Sequence, residues 1–69
     1  MGTELKTKGK EQYERSIYVY TPNREEVVIL NMTGAIVKNE EQVGLMQYDS
    51  LERGIYIVRV GEQVFKIRL

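Results

Sequence analysis

The fold is decided by residues 55–69, which read IYIVRVGEQVFKIRL. β-Branched residues dominate the first half of this stretch, and apolar and polar residues alternate along the second half, so both halves are typical of β-strands. Between them, Gly61-Glu62 favours a two-residue type II′ turn, because glycine readily adopts a positive φ angle. The stretch therefore predicts an antiparallel β-hairpin.

Alternation also assigns the side chains of this hairpin to two faces, because successive residues of a strand point in opposite directions. Arg59, Lys66 and Arg68 would point outward and form a basic row. The side chains expected to face the core are those of Tyr56, Val58, Val60, Phe65, Ile67 and Leu69.

Upstream of this hairpin, short apolar segments recur at regular spacing. Residues 16–20 alternate, with Ile17 and Val19 on one face and two tyrosines on the other. Residues 27–38 form a second predicted hairpin, which Thr33-Gly34 interrupts. Residues 43–48 could form a short edge strand. This spacing of short strands argues for an antiparallel sandwich.

Three polar segments separate these strands. Residues 21–24 contain Pro22 and Asn23 and predict a turn, since proline presets φ and asparagine tolerates left-handed conformations. Residues 39–42 predict a solvated loop, and residues 49–54 predict a turn that ends in glycine.

The fold expected from this pattern is all-β: a small immunoglobulin-like antiparallel β-sandwich of five to seven short strands, with one edge that could remain open. Residues 1–14 are polar and charged and are interpreted as a linker or a weakly ordered first strand. Residues 15–69 would form a single C-terminal β-sandwich domain. A chain of 69 residues buries a small core, so its stability margin is thin.

Composition argues against several classes of function. Ten basic and ten acidic residues give a net charge of zero, which does not favour nucleic-acid binding. The chain contains neither histidine nor cysteine, so the usual general base, the commonest metal ligand and disulfides are all missing. We therefore expect no enzymatic activity, no cofactor and no metal. No apolar run reaches the roughly 20 residues that a membrane helix needs.

Two stretches carry a family resemblance. Residues 28–37 read VILNMTGAIV and residues 51–60 read LERGIYIVRV, and a final strand with basic residues follows. In order and separation they resemble the C-terminal sorting domain of cargo proteins of the type IX (Por) secretion system. The positions that match the family pattern are Gly34, Val37, Leu51, Gly54, Tyr56, Lys66 and Arg68.

This resemblance implies an immunoglobulin-like, non-catalytic domain at the end of an exported surface protein. Its partners would be the outer-membrane secretion translocon and the cargo protein that precedes it. Export would proceed through the periplasm of a Gram-negative bacterium to the cell surface or the extracellular space. Arg59, Lys66 and Arg68 would be the residues that the translocon recognises.

Other interpretations of the same residues remain open. The basic row is also what a solvated sheet face, or an edge protected by charge, would carry. Gly34, Gly54 and Gly61 have a structural explanation as turn residues, and Tyr56 as a core aromatic side chain.

Two further functions are also compatible with the pattern. The chain could be an immunoglobulin-like adhesion or spacer module that binds a protein or polysaccharide through Tyr13, Tyr18, Tyr20 and Tyr48. It could also form a homodimer, if an open sheet edge beside residues 17–20 pairs with a second copy.

Overall fold

The computed structural model describes residues 2–8, 15–49 and 51–69, and in these ranges the chain forms five antiparallel strands and no helix. The predicted all-β antiparallel fold of five to seven strands is therefore confirmed, with five. Tyr13 and the rest of segment 9–14 lie outside the described residues. The strands are β1 (Glu4–Lys8), β2 (Ser16–Leu30), β3 (Ile36–Tyr48), β4 (Ile55–Val60) and β5 (Gln63–Arg68).

All five strands belong to one sheet organised around β2. β3 pairs with β2 from Ile17 to Leu30. On the other edge of β2, β1 pairs with its first part and β4 with its last part, and β5 extends the sheet beyond β4. The sheet curls, so the two halves of β2 contribute to two layers that enclose the core.

The turn predicted at residues 21–24 is wrong, because β2 runs through this segment without interruption. A register shift lies between Thr21, which pairs with Gly44, and Glu25, which pairs with Gln42. Pro22 therefore sits in a β-bulge, a position that tolerates the missing amide donor. The residues that suggest a turn in the sequence instead bend a continuous strand.

The loop predicted at residues 39–42 is also wrong. These residues belong to β3 and pair with residues 25–28 in reverse order. β2 offers them a continuous row of backbone partners, and such pairing overrides the low strand propensity of asparagine and glutamate. Asn39 and Glu41 are exposed, Glu40 is half-buried and Gln42 is buried, so the polarity of this segment does not mark an interruption of the strand.

The hairpin predicted at residues 27–38 is confirmed, and Asn31 fixes its tip. The Asn31 Oδ1 atom accepts hydrogen bonds from the backbone amides of Thr33 and Ala35, each at 3.0 Å. Gly34 has a φ of 88°, which a residue with a Cβ rarely adopts. The local chemistry of the turn therefore agrees with the pairing of the strands.

The core lies between the two layers and is formed mainly by β-branched residues. The predicted inward face of residues 55–69 is confirmed: Tyr56, Val58 and Val60 are buried, and partly buried side chains pack against the core from Phe65, Ile67 and Leu69. The buried residues of the core cluster are Ile17, Val19, Val27, Ile29, Tyr48, Leu51, Tyr56, Val58 and Val60.

A buried polar network joins the two long strands at the bulge. The Gln42 Nε2 atom donates to the carbonyl oxygens of Val19 and Gly44, both at 3.0 Å. The Tyr48 hydroxyl donates to Gln42 Oε1 at 2.7 Å. Burial, and secondarily the charge of Glu40, raises the pKa of Tyr48 to about 12.

We expect this network to make the fold sensitive to alkaline pH. The pKa of Tyr48 lies above its unfolded value of 10.0, so the stability it contributes is complete below pH 10 and is lost as pH rises towards 12. The difference of about two between the folded and unfolded pKa values corresponds to a loss of up to about 2–3 kcal/mol in the free energy of unfolding. Urea unfolding of the wild type and Tyr48→Phe between pH 8 and pH 12 should show the stability gap between them shrinking above pH 10. A gap that is constant with pH would contradict this account.

Candidate recognition surface

Arg59, Lys66 and Arg68 lie together on the outer face of the β4–β5 hairpin. Arg59 lies opposite Val64, and Lys66 lies opposite Ile57. All three basic side chains are exposed, as alternation predicts, because the residues between them face the core.

The three cations are close enough to act as one charged surface. Lys66 and Arg68 are two residues apart on one strand, a separation of about 7 Å. Arg59 lies diagonally across from Lys66, a separation of about 7–8 Å. Within the described ranges none of the three forms an ion pair; the salt bridge found there joins Arg24 to Glu41 at 3.6 Å, between exposed side chains. The row therefore concentrates positive charge on a chain whose net charge is zero.

Apolar side chains lie between and beside these cations. Val64 is 63% exposed, and Ile57 is half-buried. Val28 also faces outward, flanked by Asn39 and Arg59, yet it is only 5% exposed. The surface thus combines cationic side chains with apolar side chains between them. This combination is more typical of a protein–protein contact than of a sheet face that only meets water.

Four positions of the family pattern meet at a separate groove of about 470 Å³. Val37, Leu51, Gly54 and Tyr56 line it, together with Met32 of the neighbouring hairpin tip. Arg59, Lys66 and Arg68 are not among its lining residues. The structure therefore divides the candidate residues between a basic outer face and an apolar groove.

One side-chain and two backbone hydrogen bonds hold the residues around this groove in place. The Tyr56 hydroxyl donates to the Glu52 carbonyl at 2.7 Å, and its ring is buried. Gly54 and Leu69 exchange two backbone hydrogen bonds, of 3.3 and 2.8 Å, which extend the β4–β5 ladder. In this structure, Tyr56 therefore anchors the turn that precedes β4.

The other two glycines that the sequence predicts at turns, Gly34 and Gly61, do lie at turns. Gly34 is at the tip of the β2–β3 hairpin, away from the basic row. Gly61 occupies the predicted two-residue turn with a φ of 59°, and its amide donates to the Glu26 carbonyl at 3.0 Å. A Cβ at position 61 would lie 2.7 Å from Glu25 Oε1, so the turn also packs closely against β2.

The structure separates the tyrosines that the sequence grouped as one binding face. Tyr18 and Tyr20 are half-buried on the outer face, but Tyr48 is buried in the core. Tyr48 pairs with Ile17, so it faces the opposite side of the sheet. A stacking surface that includes Tyr48 is therefore wrong.

The open edge expected beside residues 17–20 is also wrong. These residues pair with β1 on one side and with β3 on the other. In the part of the chain that the structure describes, β3 pairs with β2 alone. Sequence reasoning missed this edge because it divided β3 into a strand, a loop and a short strand.

No metal-binding group of three or more His, Cys, Asp or Glu side chains is found among the residues described. These residues also include no helix with the length and hydropathy needed to cross a membrane. No family model, curated protein or solved structure matches this chain.

Proposed function

We propose that this chain is a non-catalytic C-terminal sorting domain of an exported surface protein, and that the outer-membrane translocon of type IX secretion binds its basic outer face. The observation that carries the proposal is the row formed by Arg59, Lys66 and Arg68, which is exposed and has no ion-pair partner among the described residues. The row lies on the two strands that resemble the signal region of the family.

The geometry of the hairpin suits such a role. Two paired strands hold the backbone of the three cationic residues at fixed spacing, so little backbone entropy is lost when a partner binds. Exposed Val64 and half-buried Ile57 add apolar area between the charges. Carboxylates on the partner would form charge-assisted hydrogen bonds with the row.

An export assay tests the proposal. The full chain is fused behind a signal peptide and a fluorescent reporter, in strains with and without a working type IX translocon. We expect reporter at the cell surface only when the translocon works. Lys66→Gln with Arg68→Gln should lower surface reporter by about 10-fold or more, because the loss of even one of the two charge-assisted contacts has an effect of this size.

The matched control is Arg24→Gln with Arg53→Gln, which removes the same charge from exposed positions outside the row. It should leave export unchanged. Equal surface delivery by both double variants would contradict recognition of the row. Retention of the wild-type fusion in the periplasm of both strains would contradict the sorting role itself.

The alternative function is that of an adhesion or spacer module. It is favoured by the outer face of the other layer, where half-buried Tyr20 lies opposite Leu45, which is 67% exposed. The same fusions distinguish the two functions, because an adhesion module would not need the translocon of the type IX system.

A further inference from the structure

Among the described residues, β3 has one edge without a partner strand and also carries most of the exposed large apolar side chains. Of the seven large apolar side chains that are exposed in the described ranges, five lie on this strand. An unpaired edge presents backbone donors and acceptors to which another strand can bind. The five residues are Ile36, Val37, Val43, Leu45 and Met46.

Only part of this edge is straight enough to pair. From Lys38 to Gln42 the ladder with β2 is regular. Beyond Gln42 the register shift begins, and Gly44 has a φ of 86°. A second register shift lies between Ile29, which pairs with Lys38, and Leu30, which pairs with Ile36. Bulges bend an edge strand away from a straight partner, so a second strand would pair best along residues 38–42.

We propose that two copies of the chain form a symmetric dimer by antiparallel pairing of their β3 edges about Asn39. In this register, Lys38 of each copy lies opposite Glu40 of the other. Two reciprocal ion pairs then flank the axis, and the backbone edges of both copies are satisfied. The dimer is closed, because the same segment contributes from both sides.

Symmetry and charge select this register. A two-fold axis perpendicular to the sheet places one residue opposite its own copy, because facing residues must point to the same side. Axes at Lys38, Glu40 or Glu41 would each place a like charge opposite itself, which destabilises strand pairing. An axis at Asn39 avoids this conflict and pairs opposite charges instead.

The two charged side chains are available for this contact. Lys38 lies across from Ile29, and Glu40 across from Val27, so both point to one side of β3. Lys38 is exposed and Glu40 is half-buried, and neither forms an ion pair within the described ranges. Ile36 is 58% exposed and adds apolar area at the end of the contact.

The contact is short, so the dimer is expected to be weak. A stable interface buries about 1,200–2,000 Å², more than one pair of short strands supplies. Dissociation constants in the micromolar to millimolar range follow. β4 and β5 lie beyond the opposite edge of β2, so the basic row stays free and the inference does not depend on the proposed function.

Sedimentation equilibrium of the full chain over a wide concentration range tests the proposal. The wild type should associate to a dimer. Lys38→Glu and Glu40→Lys should each weaken dimerisation by about 10-fold or more, because each places like charges opposite each other twice. A mixture of the two single variants should restore dimers, because every facing pair is then of opposite charge.

The doubly exchanged variant, Lys38→Glu with Glu40→Lys, should also regain the wild-type affinity. Circular dichroism of each variant checks that the fold is retained. A wild type that stays monomeric at millimolar concentration would overturn the proposal. The proposal would also be overturned if neither Lys38→Glu nor Glu40→Lys changed the dissociation constant of the dimer, because the contact would then lie elsewhere.

Discussion

Replacing Ile29 by alanine is expected to lower the free energy of unfolding by about 2–5 kcal/mol, the usual loss for a fully buried isoleucine. Ile29 is 0% exposed and lies on β2 directly opposite Val58, which is also 0% exposed. The loss combines the transfer of apolar area to water with the cavity that remains. A chain of this size has a total stability of roughly 3–10 kcal/mol, so the variant would lose a large part of its free energy of unfolding.

Urea denaturation followed by circular dichroism measures this effect. Ile36→Ala is the matched control, because Ile36 also lies on a strand but is 58% exposed. We expect a change of about 0.5 kcal/mol or less for the control. Equal losses for the two variants would contradict the assignment of the core to the space between the two layers.

Replacing Gln42 by alanine is expected to cost about 2–4 kcal/mol, although the residue is polar and lies on an edge strand. Its side chain is 5% exposed and binds the carbonyl oxygens of Val19 and Gly44 and the hydroxyl of Tyr48. The variant would lose these hydrogen bonds, and each polar group that is left buried without a partner costs about 1–3 kcal/mol before any water enters.

A double-mutant cycle with Tyr48→Phe tests whether the two residues act as one network. The double variant should lose less stability than the sum of the single variants, because the phenylalanine leaves no orphaned hydroxyl. Gln63→Ala, at an exposed position of β5, is the control and should have little effect. Strictly additive losses would show that the hydrogen bond between Gln42 and Tyr48 contributes little.

The hairpin at residues 55–69 could be predicted in detail from the sequence. Its strands are short, its turn has two residues, and Gly61 carries the positive φ angle that the turn needs. All these features depend on residues that are close to one another in the sequence. The outward placement of Lys66 and Arg68 could be predicted for the same reason. Recognition of the basic row by a translocon is a proposal.

The continuity of β2 and β3 could not be predicted in this way. Pro22 and Asn23 have the local preferences of a turn, but pairing with β3 on both sides of the bulge keeps the chain extended. Residues 39–42 have the composition of a loop, but their partners on β2 make them a strand. In both segments, long-range pairing outweighed local propensity.

The sequence by itself determined that the chain is all-β, where the two hairpins turn, and which side chains of the last two strands face the core. These properties arise from the period of two along each strand and from turn chemistry, both of which are local. Only the tertiary structure decided that Gln42 is buried and that β3 has one edge without a partner strand among the described residues. Gln42 reaches the carbonyl of Val19, 23 residues away, and such partners depend on how the whole sheet curls.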